Sequence, residues 1–371
     1  MPFLVALLFL PYFKLTPMGS DTQPYVLATL LALFLYYAIR TGRLPIYPVT
    51  LVLSILFFLI GVASEEYMQG LSLAVFVVAV DFLSRQRMND IVLGSKIAVL
   101  LLLFGAALDV AANNFVSQVV SNYRGSAQRG INSFSSEPSY LGLMGFALLI
   151  VFTVFGQNFR WILASSALVL LSASATAIIP FAIFATLTLI KGWRLALVPI
   201  FIGVLVFGLN YAAETDTRFG NLARIVLVSP ELIFEDVSFS NRFIRSFGPL
   251  VVSYQNDFLP QGLSADERIE IEWVTHRADE GFWRLSNISS VLVYGLGFLC
   301  IPLIYIYLIK ATAPLSVWFA VLFFSIVNLS IATPYVWLIF AIPIFLKRNK
   351  QKNIESQRHG VMLNISQKRR V

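Results

Sequence analysis

Histidine and cysteine are almost missing from this sequence: its 371 residues include two histidines and a single cysteine. Cys300 stands alone inside an apolar run, so no disulfide framework can form and no cysteine-based metal site can be built. No cluster of His, Cys and carboxylates has metal-ligand spacing, and no P-loop, GxGxxG, GxSxG or HExxH occurs. A metal or nucleotide enzyme is therefore not expected, and no cofactor is implied. Charge is scarce as well, at 13% of residues against 58% hydrophobic, with a mean hydropathy of +0.78. That balance excludes an ordinary soluble domain and predicts an all-α polytopic integral membrane protein. Repeats of 20 to 50 residues, the mark of a solenoid or propeller, are absent too.

What charge there is has a place. The net charge of +7 suggests nucleic acid, but eight of the 27 basic residues crowd positions 347–371, directly after the last apolar run. A basic tail in that position marks a cytoplasmic face and attracts anionic membrane lipid, so no nucleic-acid partner is expected. The first apolar stretch has no basic leader and no small-residue cleavage signature, and it reads as a retained helix. A spanning helix needs roughly 20 mostly apolar residues, and twelve such runs are predicted: 3–16, 24–39, 48–63, 67–83, 91–112, 138–155, 161–172, 177–190, 195–213, 288–309, 314–330 and 334–346. Residues 161–190 are long for one crossing and short for two. Charge bias arbitrates: with two crossings turning at 172–176, Lys310, Lys191/Arg194, Arg160, Arg85/Arg87 and Arg40/Arg43 all join the tail inside. Both termini are then cytoplasmic.

The same count divides the chain into 1–213, containing an outer polar segment at 113–137, a large outer loop at 214–287, a second set of helices at 288–346 and the tail at 347–371. The loop is too long to be structureless. It holds twelve of the twenty acidic residues, seven arginines and no lysine, and arginine is the cation whose rigid fork suits carboxylate and phosphate oxygens. Within it, 241–255 is predicted as an amphipathic helix with Phe243, Ile244, Phe247, Leu250, Val251 and Tyr254 on one face and Arg242 and Arg245 together on the other. It reads equally as an interfacial helix with a solvated basic side. Further on, "SADE" at 264–267 resembles a capping box and "RIEIEWV" at 268–274 alternates like a strand, so that part stays unassigned.

Chemistry concentrates at the outer face. Asp81, Lys96 and Asp109 lie near predicted helix ends, unlike the midplane charges of a proton-coupled transporter. In "RGINSFSSEPSYLG" (129–142) Glu137 stands before Pro138, a residue suited to the first helical position. An acid at a helix N-terminus is favourable by roughly 0.3–1 kcal/mol through the macrodipole, which accounts for the sign of its charge. It does not account for the residue type, because caps prefer Ser, Thr, Asp or Asn and Ser135 and Ser136 stand next door.

This segment, from Arg129 and Gly130 through Ser133 and Phe134 to "EPSYLG", resembles a signature of Wzy-type O-antigen and bacterial polysaccharide polymerases, relatives of the O-antigen ligases. Those families are similar in having ten to fourteen spans, a small-residue turn like "LSASAT" (171–176) and one large periplasmic loop before the last spans. The resemblance implies about twelve transmembrane helices with a periplasmic loop domain, in a bacterial inner membrane. It also implies a metal-independent glycosyltransferase that moves an undecaprenyl-pyrophosphate-linked oligosaccharide onto a lipid-linked repeat unit, with a chain-length regulator protein as partner. Pyrophosphate is a good leaving group that needs charge stabilisation, which arginines can supply without a metal. Glu137 is then the base or acceptor-positioning group, and Arg124, Arg129, Arg242 and Arg245 bind the pyrophosphate, with Ser139 and Tyr140 of the motif beside the substrate.

The chain departs from that pattern in two places. Ala175 stands where many relatives carry an arginine, so a guanidinium is lost from the turn, and Asn287 follows Ser286 where ligases pair a His with an Asn. His276 lies eleven residues upstream of Asn287 and is retained as a candidate base, with an unperturbed pKa near 6.5. Glu65 and Glu66 form another outer carboxylate pair that would suit a metal-dependent polyprenyl-phosphate glycosyltransferase or, more simply, a solvated helix end. An O-antigen ligase acting on a lipid A core or protein and a lipid-linked oligosaccharide flippase remain alternatives.

Overall fold

A computed structural model of the chain describes residues 1–15, 24–124, 130–189, 198–215, 218–235, 237–264 and 285–368. These are mostly helical. Among the described residues there is no strand, only an isolated antiparallel bridge between Phe13 and Val120. In chain order the first helices are α1 (Pro2–Leu8), α2 (Tyr25–Thr41), α3 (Pro48–Ala63), α4 (Tyr67–Ser84), α5 (Met88–Ala111) and the short α6 (Asn113–Val119). Then come α7 (Pro138–Val154), α8 (Phe159–Leu171), α9 (Ala175–Leu189), α10 (Val198–Ala213), α11 (Arg218–Val228) and α12 (Val237–Gln255). A three-residue turn, α13 (Ile288–Ser290), opens the last part, followed by α14 (Cys300–Lys310), α15 (Leu315–Ile326) and α16 (Pro334–Lys368).

Two of these helices, α4 and α5, are long and apolar enough to cross a membrane, and a third crossing exists if Ile288–Gly295 and Gly297–Lys310 count as one bent span. Shorter apolar helices, α2, α3, α7, α8, α9 and α15, accompany them. Helix α7 is apolar all round, the pattern of a helix enclosed on every side, and each residue from Leu141 to Phe152 is indeed buried. Phe146 meets Phe184 of α9 and Phe324 of α15, Phe152 meets Trp161 of α8, and Phe155 just past its end meets Phe345 of α16. The helix headed by Glu137 is thus the hub of the bundle, and a hub held by rings on several sides cannot slide.

The bundle has two chemically different ends. At one end the Asp81 carboxylate of α4 accepts from Arg85 Nε (3.1 Å), from the Tyr47 amide (2.7 Å) and from the Thr50 hydroxyl (2.9 Å). Arg85 and Lys310 both lie over the Tyr47 ring of this node, 3.9 and 5.0 Å from its centroid. Arg348 of α16 donates to the Ser84 carbonyl, and Lys96 lies over the Trp161 ring. At the other end of α4, Gln69 donates to the Leu285 carbonyl, and it is there that the polar segment around Glu137 and the start of α13 are found.

Three expectations are corrected. The first run does not continue as helix to residue 16: α1 stops at Leu8 because Pro11 cannot continue it, and the chain extends so that Lys14 N bonds to the Val119 carbonyl. The run at 288–309 is not one straight helix but bends by 118° at Leu296. Gly297 has φ +52°, and Pro302 carries no N–H for the preceding turn. Residues 258–262 lie against this break: Phe298 N bonds to the Phe258 carbonyl (2.8 Å), Gln261 N to the Tyr294 carbonyl and Gly262 N to the Gly295 carbonyl. A Cβ at Gly297 would run into the Phe258 carbonyl oxygen, and the left-handed backbone itself costs a side chain about 1–2 kcal/mol. Gly297→Ala is therefore expected to lower stability by at least that amount, read as a fall in melting temperature of the detergent-purified protein.

The third correction concerns α12. Its buried residues are Ser240, Ile244, Ser246, Gly248, Pro249, Val252 and Ser253, whereas Tyr254 is exposed. Pro249 explains the arrangement. It has no N–H for the carbonyl of Arg245 one turn earlier, and the Ser286 hydroxyl donates to that carbonyl instead (3.3 Å). Asn287 and Ser290 both donate to the neighbouring Ser246 carbonyl. The helix is thus seated by polar contacts on α13 and the residues just before it, and its two arginines part company. The 268–274 segment, with most of the "SADE" stretch, lies outside the described residues.

Candidate functional site

The site begins with a loop that would not hold its shape unaided. Ser133 has φ +54°, a left-handed conformation that costs a non-glycine residue of order 1–3 kcal/mol unless its surroundings impose it. The Asp109 carboxylate, buried at the end of α5, imposes it. Oδ2 accepts from the Asn132 and Ser133 amides (2.8 and 3.3 Å) and Oδ1 accepts from the Tyr123 hydroxyl (2.7 Å). The Ser133 hydroxyl donates to the Leu102 carbonyl at 2.6 Å, and Gly105 leaves the space in which Ser133 and Phe134 lie on α5. Burial, and then the bond and charge of Asp109, hold the Tyr123 hydroxyl well above the usual phenol range, so it stays a donor. Asp109→Ala leaves two loop amides without their acceptor and is expected to cost about 1–3 kcal/mol, measurable as an earlier thermal transition.

On the other flank the loop lies on the α8–α9 turn. Ile131 N bonds to the Leu171 carbonyl, and Gly130, at φ +93°, has the Ser172 carbonyl where a Cβ would be. Gly142 faces the same turn, with Ala177 Cβ 2.6 Å from the position a Cβ would take. Gly130 is therefore a point where two backbones approach too closely for a side chain, and Gly142 one where the side chains of the turn fill the space a Cβ would need. Ala173, in that turn, is again left-handed, at φ +46°.

Between loop and turn sits Glu137. Its backbone is extended (φ −140°, ψ 152°) in the N-cap position of α7, but its side chain makes no capping bond. The Ser135 hydroxyl serves the local backbone instead, reaching the Asn132 and Glu137 carbonyls. This frees the carboxylate for other partners. Oε1 accepts from Arg124 Nη1 at 2.7 Å, while Oε2 accepts from the Ser139 hydroxyl at 3.1 Å and lies 3.5 Å from Arg242 Nη2. The other terminal nitrogen of Arg242 donates to Thr176 Oγ1 at 2.9 Å, and Thr176 is in turn 3.0 Å from Ser174 Oγ. Arg242 thus brings a guanidinium to the small-residue turn from α12, so Ala175 does not leave that turn without one.

Of the residues singled out in the sequence, the structure brings together Glu137, Arg124, Arg242 and Ser139. Arg245 is on the next turn of α12, exposed, with no ion pair among the described residues. Tyr140 stacks on Tyr12, with centroids 5.3 Å apart. Arg129 and His276 lie outside the described residues. Glu65 is exposed and left-handed beside Glu66 at the head of α4, and no group of three His, Cys, Asp or Glu side chains among the described residues is disposed to hold a metal ion. Asn287 accepts from Ser290 N as a helix cap and is buried against α12, which is a structural use of that residue.

Three participants escaped the sequence reading. Thr176 lay in a turn noted only for its small residues, Asp109 looked like a charge near a helix end, and Tyr123 carried no signal. The one hint for Asp109 was its place in the last turn of a helix that leads into the polar segment. The fold and the site define a helical protein with helices able to cross a membrane and a carboxylate–guanidinium cluster at one end of its bundle. No family model, no curated protein and no solved structure matches this chain.

Proposed function

We propose that this chain is a metal-independent glycan polymerase of the bacterial inner membrane, with about twelve spans, both termini in the cytoplasm and the Glu137 cluster on the periplasmic face. The observation that carries the reading is the meeting of one carboxylate with guanidinium groups from two segments far apart in sequence, Arg124 and Arg242. The separation of the bundle's ends supports the orientation: Arg85, Lys310 and Arg348 gather at the end of α4 away from Glu137, as the cytoplasmic bias of basic residues would have it.

In this reading the donor is an oligosaccharide on undecaprenyl pyrophosphate and the acceptor is the sugar hydroxyl of a lipid-linked repeat unit. Glu137 takes the proton of the acceptor hydroxyl, whose oxygen forms a bond to the anomeric carbon of the donor. The bond from that carbon to the phosphate oxygen breaks, its electron pair leaves with undecaprenyl pyrophosphate, and Arg124, Arg242 and Arg245 neutralise the charge that develops there. Ser139 orients the carboxylate through its 3.1 Å bond. Asp81 and Asp109 are committed to structural contacts at helix ends, which favours an enzyme over a proton-coupled transporter.

The test is reconstitution. Purified protein given lipid-linked repeat units as both donor and acceptor, with a chelator present, is expected to produce a ladder of polymers. Products only when a separate lipid A core or protein acceptor is added would make it a ligase, and transbilayer movement without a covalent product would make it a flippase.

A further inference from the structure

Glu137 is engaged on both oxygens. Arg124 is on one, Ser139 and Arg242 are on the other, and Arg242 is anchored by Thr176 on its far side. A carboxylate in this position is turned toward cations and is not presented to an incoming hydroxyl. Two guanidinium groups, those of Arg124 and Arg242, meet the carboxylate of Glu137, and the N-terminus of α7 adds partial positive charge at the same place. A guanidinium fork receives the paired oxygens of a carboxylate and of a phosphoryl group in the same geometry. A diphosphate offers more such oxygens and more charge than the carboxylate does, and so competes with it for the same two guanidinium groups.

We infer that Glu137 is an internal placeholder for a diphosphate. The diphosphate of the lipid-linked donor takes Arg124 and Arg242 away from Glu137, and only the released carboxylate turns to the acceptor hydroxyl. Donor binding and unmasking of the base are one event, which makes the order of binding donor first. The anchors suit the exchange: Arg242 stays tethered to Thr176 while its other nitrogen changes partner, and Ser139 retains the carboxylate within reach. This inference rests on the diphosphate ligand of the polymerase reading and adds to it the competition between ligand and protein carboxylate.

Binding of a short-chain polyprenyl diphosphate to the full-length protein in nanodiscs, followed by titration calorimetry, tests it. Glu137→Gln is expected to bind the diphosphate about three- to tenfold more tightly than wild type, since two partly exposed ion pairs no longer compete. The gain should vanish when Arg124 and Arg242 are both methionine, because coupled residues are non-additive. Equal or weaker binding by Glu137→Gln, a gain that persists without the arginines, or no diphosphate binding by any variant overturns the exchange. Should the variants not fold, a wild-type cryo-EM map with the diphosphate bound decides, because Glu137 still paired with both arginines has the same meaning. Diphosphate exchange without polymer from repeat units would leave this inference standing and remove the polymerase, whereas ladders from wild type with unchanged affinity in Glu137→Gln would remove the inference alone.

Discussion

Glutamine at position 137 is expected to reduce ladder formation by about 10²–10⁴-fold, the usual contribution of a positioned general base, with the protein still folded. The substitution preserves size and one acceptor oxygen, so Arg124 can keep a partner. It places an amide donor where Arg242 or the Ser139 hydroxyl now meets Oε2, and in the proposed polymerase reaction it removes the group that takes the proton. Stability should change little, because Arg124 is more than half exposed and Arg242 more than a third, and pairs so exposed contribute little to folding. The helix does not need the side chain as a cap either, since no capping bond is made. Polymer length in a null strain complemented with the variant is the cellular readout. Wild-type ladders from Glu137→Gln, in vitro or in cells, would remove Glu137 from the chemistry.

Arg242→Met should lower kcat/KM by about 10²–10³-fold, the scale for losing one preorganised donor to developing negative charge. The bridge this side chain makes sets the size of the loss. One terminal nitrogen is held by Thr176 at 2.9 Å while the other faces Glu137 at 3.5 Å, so the guanidinium is aimed before any ligand arrives. A lysine has no planar fork and presents its donors from a single nitrogen instead of two, hence Arg242→Lys should recover only a small part. Thr176→Val, which removes the anchor and leaves the charge, should fall between wild type and Arg242→Met. Full activity in Arg242→Lys would mean that charge alone matters and that the bridge has no role.

Much of this cluster could be read in the sequence, and the reasons are local. Glu137 stands out because an acid before proline at a helix start is a poor choice of cap, and that argument needs only its neighbours. Arg242 could be suspected because the 214–287 segment uses arginine and no lysine, but its face could not be assigned. The hydrophobic pattern of 241–255 pointed Tyr254 inward, whereas Pro249 and the Asn287 and Ser286 contacts turn the helix so that serines are covered. Periodicity weighs apolar residues and is blind to a face held by polar bonds to a segment forty residues away in sequence. Asp109 was underestimated for a related reason: the strained Ser133 amide it holds exists only once the loop has folded back on α5.

By itself the sequence determined that the chain is helical, where its apolar runs start and stop, and which residue at the head of α7 is an unusual choice of cap, because these follow from composition, proline and glycine placement and nearest neighbours. Only the tertiary structure decided that α7 is the enclosed hub, that the 288–309 run breaks at Gly297 to admit residues 258–262, and that Arg124 and Arg242 share one carboxylate. Those outcomes depend on close backbone approaches and polar contacts between segments far apart along the chain, and no local pattern of hydrophobicity encodes which distant backbones will touch.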